Sequence, residues 1–130
     1  MSQTMTLNLE REFSVSPQRL FDAISEGVLF LSCGFDQDTM KIDFRVGGKY
    51  WMQFNGDSDV AGEFLEIVPG KKVVFTWGEM NTKVTALIEA KGTSALLKLT
   101  HELIPDAYWH DRFQGGWTHG FNHLSEKISK

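Results

Sequence analysis

His101 ends an alternating run of Ala95, Leu97 and Leu99, so on a strand it faces the same way as three apolar side chains. An inward imidazole can donate a hydrogen bond to a ligand or act as acid or base. The plainer reading is a strand-end histidine bonded to backbone. Glu66 shares phase with Phe64 if its strand is regular. A buried carboxylate needs a partner, and Arg11, in phase with Leu9 and Phe13, is the candidate. A bulge near Val68-Pro69 would instead turn Glu66 outward. With both groups inward, His101 and Glu66 are the candidate acid and base of an enzyme.

Other chemistry-bearing residues point to less. His119 and His123 stand at i, i+4, a spacing that can seat two metal ligands. The residues between them are Gly120-Phe121-Asn122, with no glutamate beside the first histidine and no third ligand evident. The pair therefore reads as a solvated polar face, and no metal or other cofactor is expected. Cys33 lies in an apolar segment, where a buried inert thiol is the default, and the chain has no Gly-x-Ser-x-Gly. Gly47-Gly48 reads as a hairpin turn rather than a phosphate cradle, because no helix follows it.

The elements that must position these residues follow from periodicity. Leu7, Leu9, Arg11 and Phe13 alternate with polar residues and predict a half-buried strand. Ser16 can cap a helix and Pro17 suits its first position, so a short helix is expected over 17–25 and a second within 26–33. Period-two runs follow: Met40 to Val46, Tyr50 to Phe54, Val60 to Val68, Val73 to Trp77, Val84 to Ala90 and Ala95 to His101. Their turns fall at Gly47-Gly48, Asn55-Gly56-Asp57, Pro69-Gly70, Glu79 to Asn81 and Lys91-Gly92-Thr93. After Pro105, Phe113, Trp117, Phe121, Leu124 and Ile128 share one face of a helix.

A curved antiparallel sheet has an apolar face and the long terminal helix has an apolar stripe, so each must cover the other. The expected fold is α+β: a seven-stranded antiparallel sheet wrapped on a C-terminal helix, with two short helices between strands 1 and 2. One domain over 1–130 fits the length. Gly116 and Gly120 border the stripe and leave either a cavity or a close helix–sheet contact.

Charge and composition exclude some roles. The net charge is -4 and no basic run appears, so neither nucleic acid nor an acidic membrane is an expected partner. One cysteine allows no intrachain disulfide, which fits a reducing compartment. The first residues lack a basic start and an apolar stretch, and no run reaches about 18 apolar residues. A cytoplasmic location is the expectation.

Strand, two helices, six strands and a long helix, in that order, resemble the START and birch-pollen-allergen (SRPBCC) superfamily of helix-grip domains. Asp43-Phe44-Arg45-Val46-Gly47-Gly48-Lys49-Tyr50 is similar to the signature of the family named after the activator of heat-shock protein 90 ATPase. Gly62-Glu63-Phe64-Leu65-Glu66-Ile67-Val68-Pro69, Val74-Phe75-Thr76-Trp77, Leu99-Thr100-His101 and Gly115-Gly116-Trp117 also match its pattern, in order. The segment from Gly27 to Gly34 departs from it, since many relatives are tryptophan-rich there. The resemblance implies a helix-grip fold and, for most of the superfamily, binding of hydrophobic small molecules; a few members use the cavity as an active site.

The first expectation is therefore a non-catalytic module holding an apolar or aromatic small molecule. Its lining would be Phe44, Met52, Phe54, Phe64, Phe75, Trp77, Leu99, Phe113, Trp117 and Phe121, with His101 as polar anchor. The alternatives are an enzyme in the same cavity and a stress-related or chaperone-associated interaction domain. The number of copies stays open, a dimer included.

Overall fold

The computed structural model describes residues 4–32, 37–54, 58–78 and 82–128. The chain begins with strand β1 (Met5–Phe13). Helices α1 (Pro17–Ser25) and α2 (Val28–Ser32) follow, then a 3-10 turn at Gln37–Thr39. Six strands come next: β2 (Lys41–Ile42), β3 (Lys49–Phe54), β4 (Ser58–Val68), β5 (Lys72–Trp77), β6 (Thr82–Lys91) and β7 (Ser94–Ile104). Helix α3 (Ala107–Ile128) ends the order.

The seven strands form one antiparallel sheet in the order β1-β7-β6-β5-β4-β3-β2. Strands β2 to β7 make a meander, and β1 closes onto β7 from the far end of the sequence. Alternation dictates the faces. Along β6 and β7, Val84, Ala86, Ile88, Ala95, Leu97 and Leu99 are all buried on one face, while Thr85, Lys98 and Thr100 lie on the other. Ser16 caps α1 as its type predicts, its hydroxyl accepting from the Arg19 N–H at 3.1 Å. Trp117, Phe121, Leu124 and Ile128 of α3 are buried over the sheet, giving the helix-grip architecture.

Strand β2 is shorter than its alternation predicts. Val46, expected inward, is 63% exposed. The backbone leaves the ladder at Asp43 and folds on itself: the Arg45 N–H donates to the Asp43 carbonyl and the Gly48 N–H to the Arg45 carbonyl, both at 2.8 Å. A β-carbon on Gly48 would lie 2.1 Å from the Asp43 carbonyl oxygen, so this loop demands a glycine. Phe44 alone of the loop turns inward, its ring against Phe21 and Phe64. The predicted turns at Asn55-Gly56-Asp57 and Glu79 to Asn81, and Cys33, lie outside the described residues.

Glu66 also corrects an expectation. The pairing of β4 with β5 shifts between Phe64 and Glu66, an irregularity earlier than the Val68-Pro69 position considered from sequence. It puts Leu65 and Glu66 both on the exposed side, and Glu66 pairs with Lys72 at 3.3 Å. Arg11 donates instead to the Asn122 side chain of α3 at 2.5 Å. The buried Arg11–Glu66 pair is not formed.

Candidate functional site

His101 is fully buried in β7, facing α3 as its phase predicts. Its partners are side chains rather than backbone. The indole N–H of Trp117 points at Nδ1 from 3.1 Å, and Nε2 lies 2.7 Å from the hydroxyl of Thr82. An indole N–H can only donate, so Nδ1 is the acceptor and the proton sits on Nε2. Nε2–H then donates to the Thr82 oxygen, and the Thr82 hydroxyl donates to the Trp77 carbonyl at 3.2 Å. Every polar atom of this buried relay is used. Burial pushes the His101 imidazole down to about 4, so it is neutral at physiological pH.

His101 and Glu66 do not meet, because the shifted pairing sends Glu66 to the surface. The acid–base pair that the enzyme alternative required is not assembled. Among the described residues no group of three or more His, Cys, Asp or Glu is placed to hold a metal ion.

Around the histidine lies a connected set of rings, several of them among the residues expected from sequence to line a cavity. Phe44 contacts Phe64 at 5.1 Å between centroids, Phe64 meets Tyr50 at 5.6 Å, and Tyr50 stacks on Phe30 at 5.4 Å. Phe30 meets Phe75 and Trp77, and Trp77 lies 5.2 Å from Trp117. Phe121 closes the other end against Phe13 at 6.2 Å. These are contact distances, so side chains occupy the middle of the space between sheet and helix. Met52 and Leu99 are buried in the same core. The side chain of Phe54 lies outside the described residues.

Burial falls along α3 toward its start. Trp117 and Phe121 are buried, Trp109 and Phe113 are half-buried, and Tyr108 is exposed. Phe113 lies flat on His101, with centroids 4.3 Å apart, and Trp109 leans on Phe113. Gly120 is buried, whereas Gly116 is exposed with open space around it. The site is thus closed behind Trp117 and covered by two partly exposed rings in front. A separate open depression of about 270 Å³ runs along β1 and β7, lined by Asn8, Leu9, Glu10, Lys98, Leu99 and Thr100.

Three participants escaped the sequence reading. Thr82 shares phase with Val84 and Ala86, which could have placed it inward. Tyr50 is in phase with Met52; its hydroxyl donates to the Thr76 carbonyl at 2.6 Å, and burial pushes its ionisation far up. Phe30 sits on a helix of five residues, too short to show a period.

Residues 14–128 match the family model described as activator of Hsp90 ATPase homolog 1-like protein. The chain belongs to that family. No curated protein matches this Hsp90 ATPase activator-like chain. Among solved structures it is similar to protein CV1439 from Chromobacterium violaceum, with 26% identity and a TM-score of 0.81 over 97% of this chain and 99% of that one. The Aha1 dimer from Colwellia psychrerythraea superposes with a TM-score of 0.83 at 16% identity, over 95% of this chain and 96% of the other. CalU16 from Micromonospora echinospora gives 0.80 at 18% identity, over 97% and 77%. The last two share the helix-grip fold. Among the described residues no helix is long and apolar enough to cross a membrane.

Proposed function

We propose that the chain binds an apolar, ring-bearing small molecule at the N-terminal end of the cleft between α3 and the sheet. The observation that carries this reading is the Phe113–His101 stack. A half-buried ring covers the flat face of a fully buried one, at one end of a connected cluster of rings. The guest takes the place of the Phe113 ring over His101, against Trp77 and Trp117. His101 then offers a stacking face rather than a hydrogen bond, because Trp117 and Thr82 hold both its nitrogens. A bicyclic guest burying about 200 Å² of apolar surface gains roughly 5 kcal/mol before association costs. With Glu66 at the surface, the arrangement supports binding rather than acid–base catalysis.

The test is titration with 1-naphthol, followed by quenching of tryptophan emission. Saturable quenching is expected. Phe113→Ala removes the competing ring and should tighten binding at least threefold, while Phe113→Trp should weaken it. Linear, non-saturating quenching that is the same in all three proteins overturns the reading.

A further inference from the structure

His119 and His123 lie on the exposed face of α3, away from the ring lining, and their rings are brought to 4.3 Å between centroids. We propose that these two side chains form a two-armed chelate for a borderline divalent transition metal such as Ni²⁺, Zn²⁺ or Cu²⁺. The separation of the two rings is close to what a chelate requires. A metal sits about 2.1 Å from each imidazole nitrogen, which puts each ring centroid roughly 3.2 Å from the ion. At ligand angles of about 90–109° the two centroids would then stand roughly 4.5–5.2 Å apart. The helix holds the rings within a few tenths of an ångström of that separation without an ion. Successive positions at i and i+4 fall on one helix face, so the backbone need not change.

Nδ1 of His123 stands 3.9 Å from the Glu126 carboxylate, beyond hydrogen-bond length, so that carboxylate does not tie down the ring. Gly116, one turn before His119, is exposed with open space about it, which leaves room for water to complete the coordination. With two protein ligands only, the site is a surface chelate of modest affinity, and imidazole donors favour Ni²⁺, Cu²⁺ and Zn²⁺ over Mg²⁺ and Ca²⁺.

The probe is nickel chloride, added to the full chain carrying Cys33→Ser so that no thiolate competes. Calorimetry should show one Ni²⁺ per chain, and paramagnetic broadening of amide signals should centre on residues 116–126. His119→Ala and His123→Ala should each weaken binding at least tenfold. Both histidines are exposed, so far-UV circular dichroism should show an intact fold in each variant. The proposal is overturned if no Ni²⁺ binds up to 1 mM, or if either histidine variant binds as tightly as its parent, since a chelate needs both arms.

Discussion

Trp117 on α3 donates its indole N–H to Nδ1 of His101 in β7 at 3.1 Å, a bond between the two layers of the fold. It fixes the tautomer of the histidine and, through Nε2–H, the orientation of Thr82 and its bond to the Trp77 carbonyl. One side chain of the helix therefore sets the polar order of the core.

That order should make stability fall in mild acid. His101 has a folded pKa of about 4, against an ordinary value of 6.5. Above pH 6.5 the histidine is neutral in both states and the contribution is complete. Between about pH 6.5 and 4 the unfolded chain takes up a proton that the folded one refuses, and about 3 kcal/mol is lost. Below pH 4 both states are protonated and this loss stops. Urea unfolding at pH 7.5 and 4.5, with His101→Gln alongside, checks it: the variant should show a loss smaller by roughly that amount.

Trp117→Phe keeps a ring over Trp77 but leaves Nδ1 of His101 buried and unpaired. The expected cost is about 2 kcal/mol, measured by urea unfolding at neutral pH. An unchanged midpoint would show that the bond between layers contributes nothing.

Glycines in this chain should respond with opposite signs. A β-carbon on Gly62 would stand 2.2 Å from the Thr76 carbonyl oxygen and 2.7 Å from the Tyr50 ring, and backbone cannot give way as a side-chain end can. Gly62→Ala is expected to cost at least about 2 kcal/mol, or to prevent folding. Gly115 and Gly116 sit inside α3 with nothing within 4 Å of an added carbon. Each should gain about 0.5–1 kcal/mol as alanine, seen as a higher melting temperature.

Glu66→Gln should change stability by less than about 1 kcal/mol, because its pair with Lys72 is largely exposed. A loss of 3 kcal/mol or more in urea unfolding would instead mean a buried ion pair and would contradict the shifted pairing of β4.

The sheet, the three helices and their order were legible because local period reports burial directly: the runs around Val84 and Leu97 alternate without interruption and are buried in alternation. Period failed where backbone hydrogen bonds competed with it. Met40, Ile42, Phe44 and Val46 alternate as well as any strand, yet the bonds from Arg45 and Gly48 back to Asp43 and Arg45 fold that run into a loop. The irregularity beside Phe64 reverses Glu66 with no mark in the sequence. At the site, the inward His101 could be read, but its partners could not. Thr82 and Trp117 reach it from another strand and from α3, and such meetings depend on the assembled layers rather than on neighbours in the chain.

Pairing of β1 with β7 sets the schedule by which a growing chain can finish. Asn8 and Thr100 share a hydrogen bond although 92 positions separate them, and Arg11 waits longer still for Asn122. On the ribosome, β3 to β7 can zip together hairpin by hairpin as they emerge. β1 must remain unpaired until β7 has emerged, and the apolar face of the sheet stays bare until α3 has followed it. Closing contacts so far apart is slow, so the apolar face of this sheet is exposed for longer during folding than that of a fold built from local contacts.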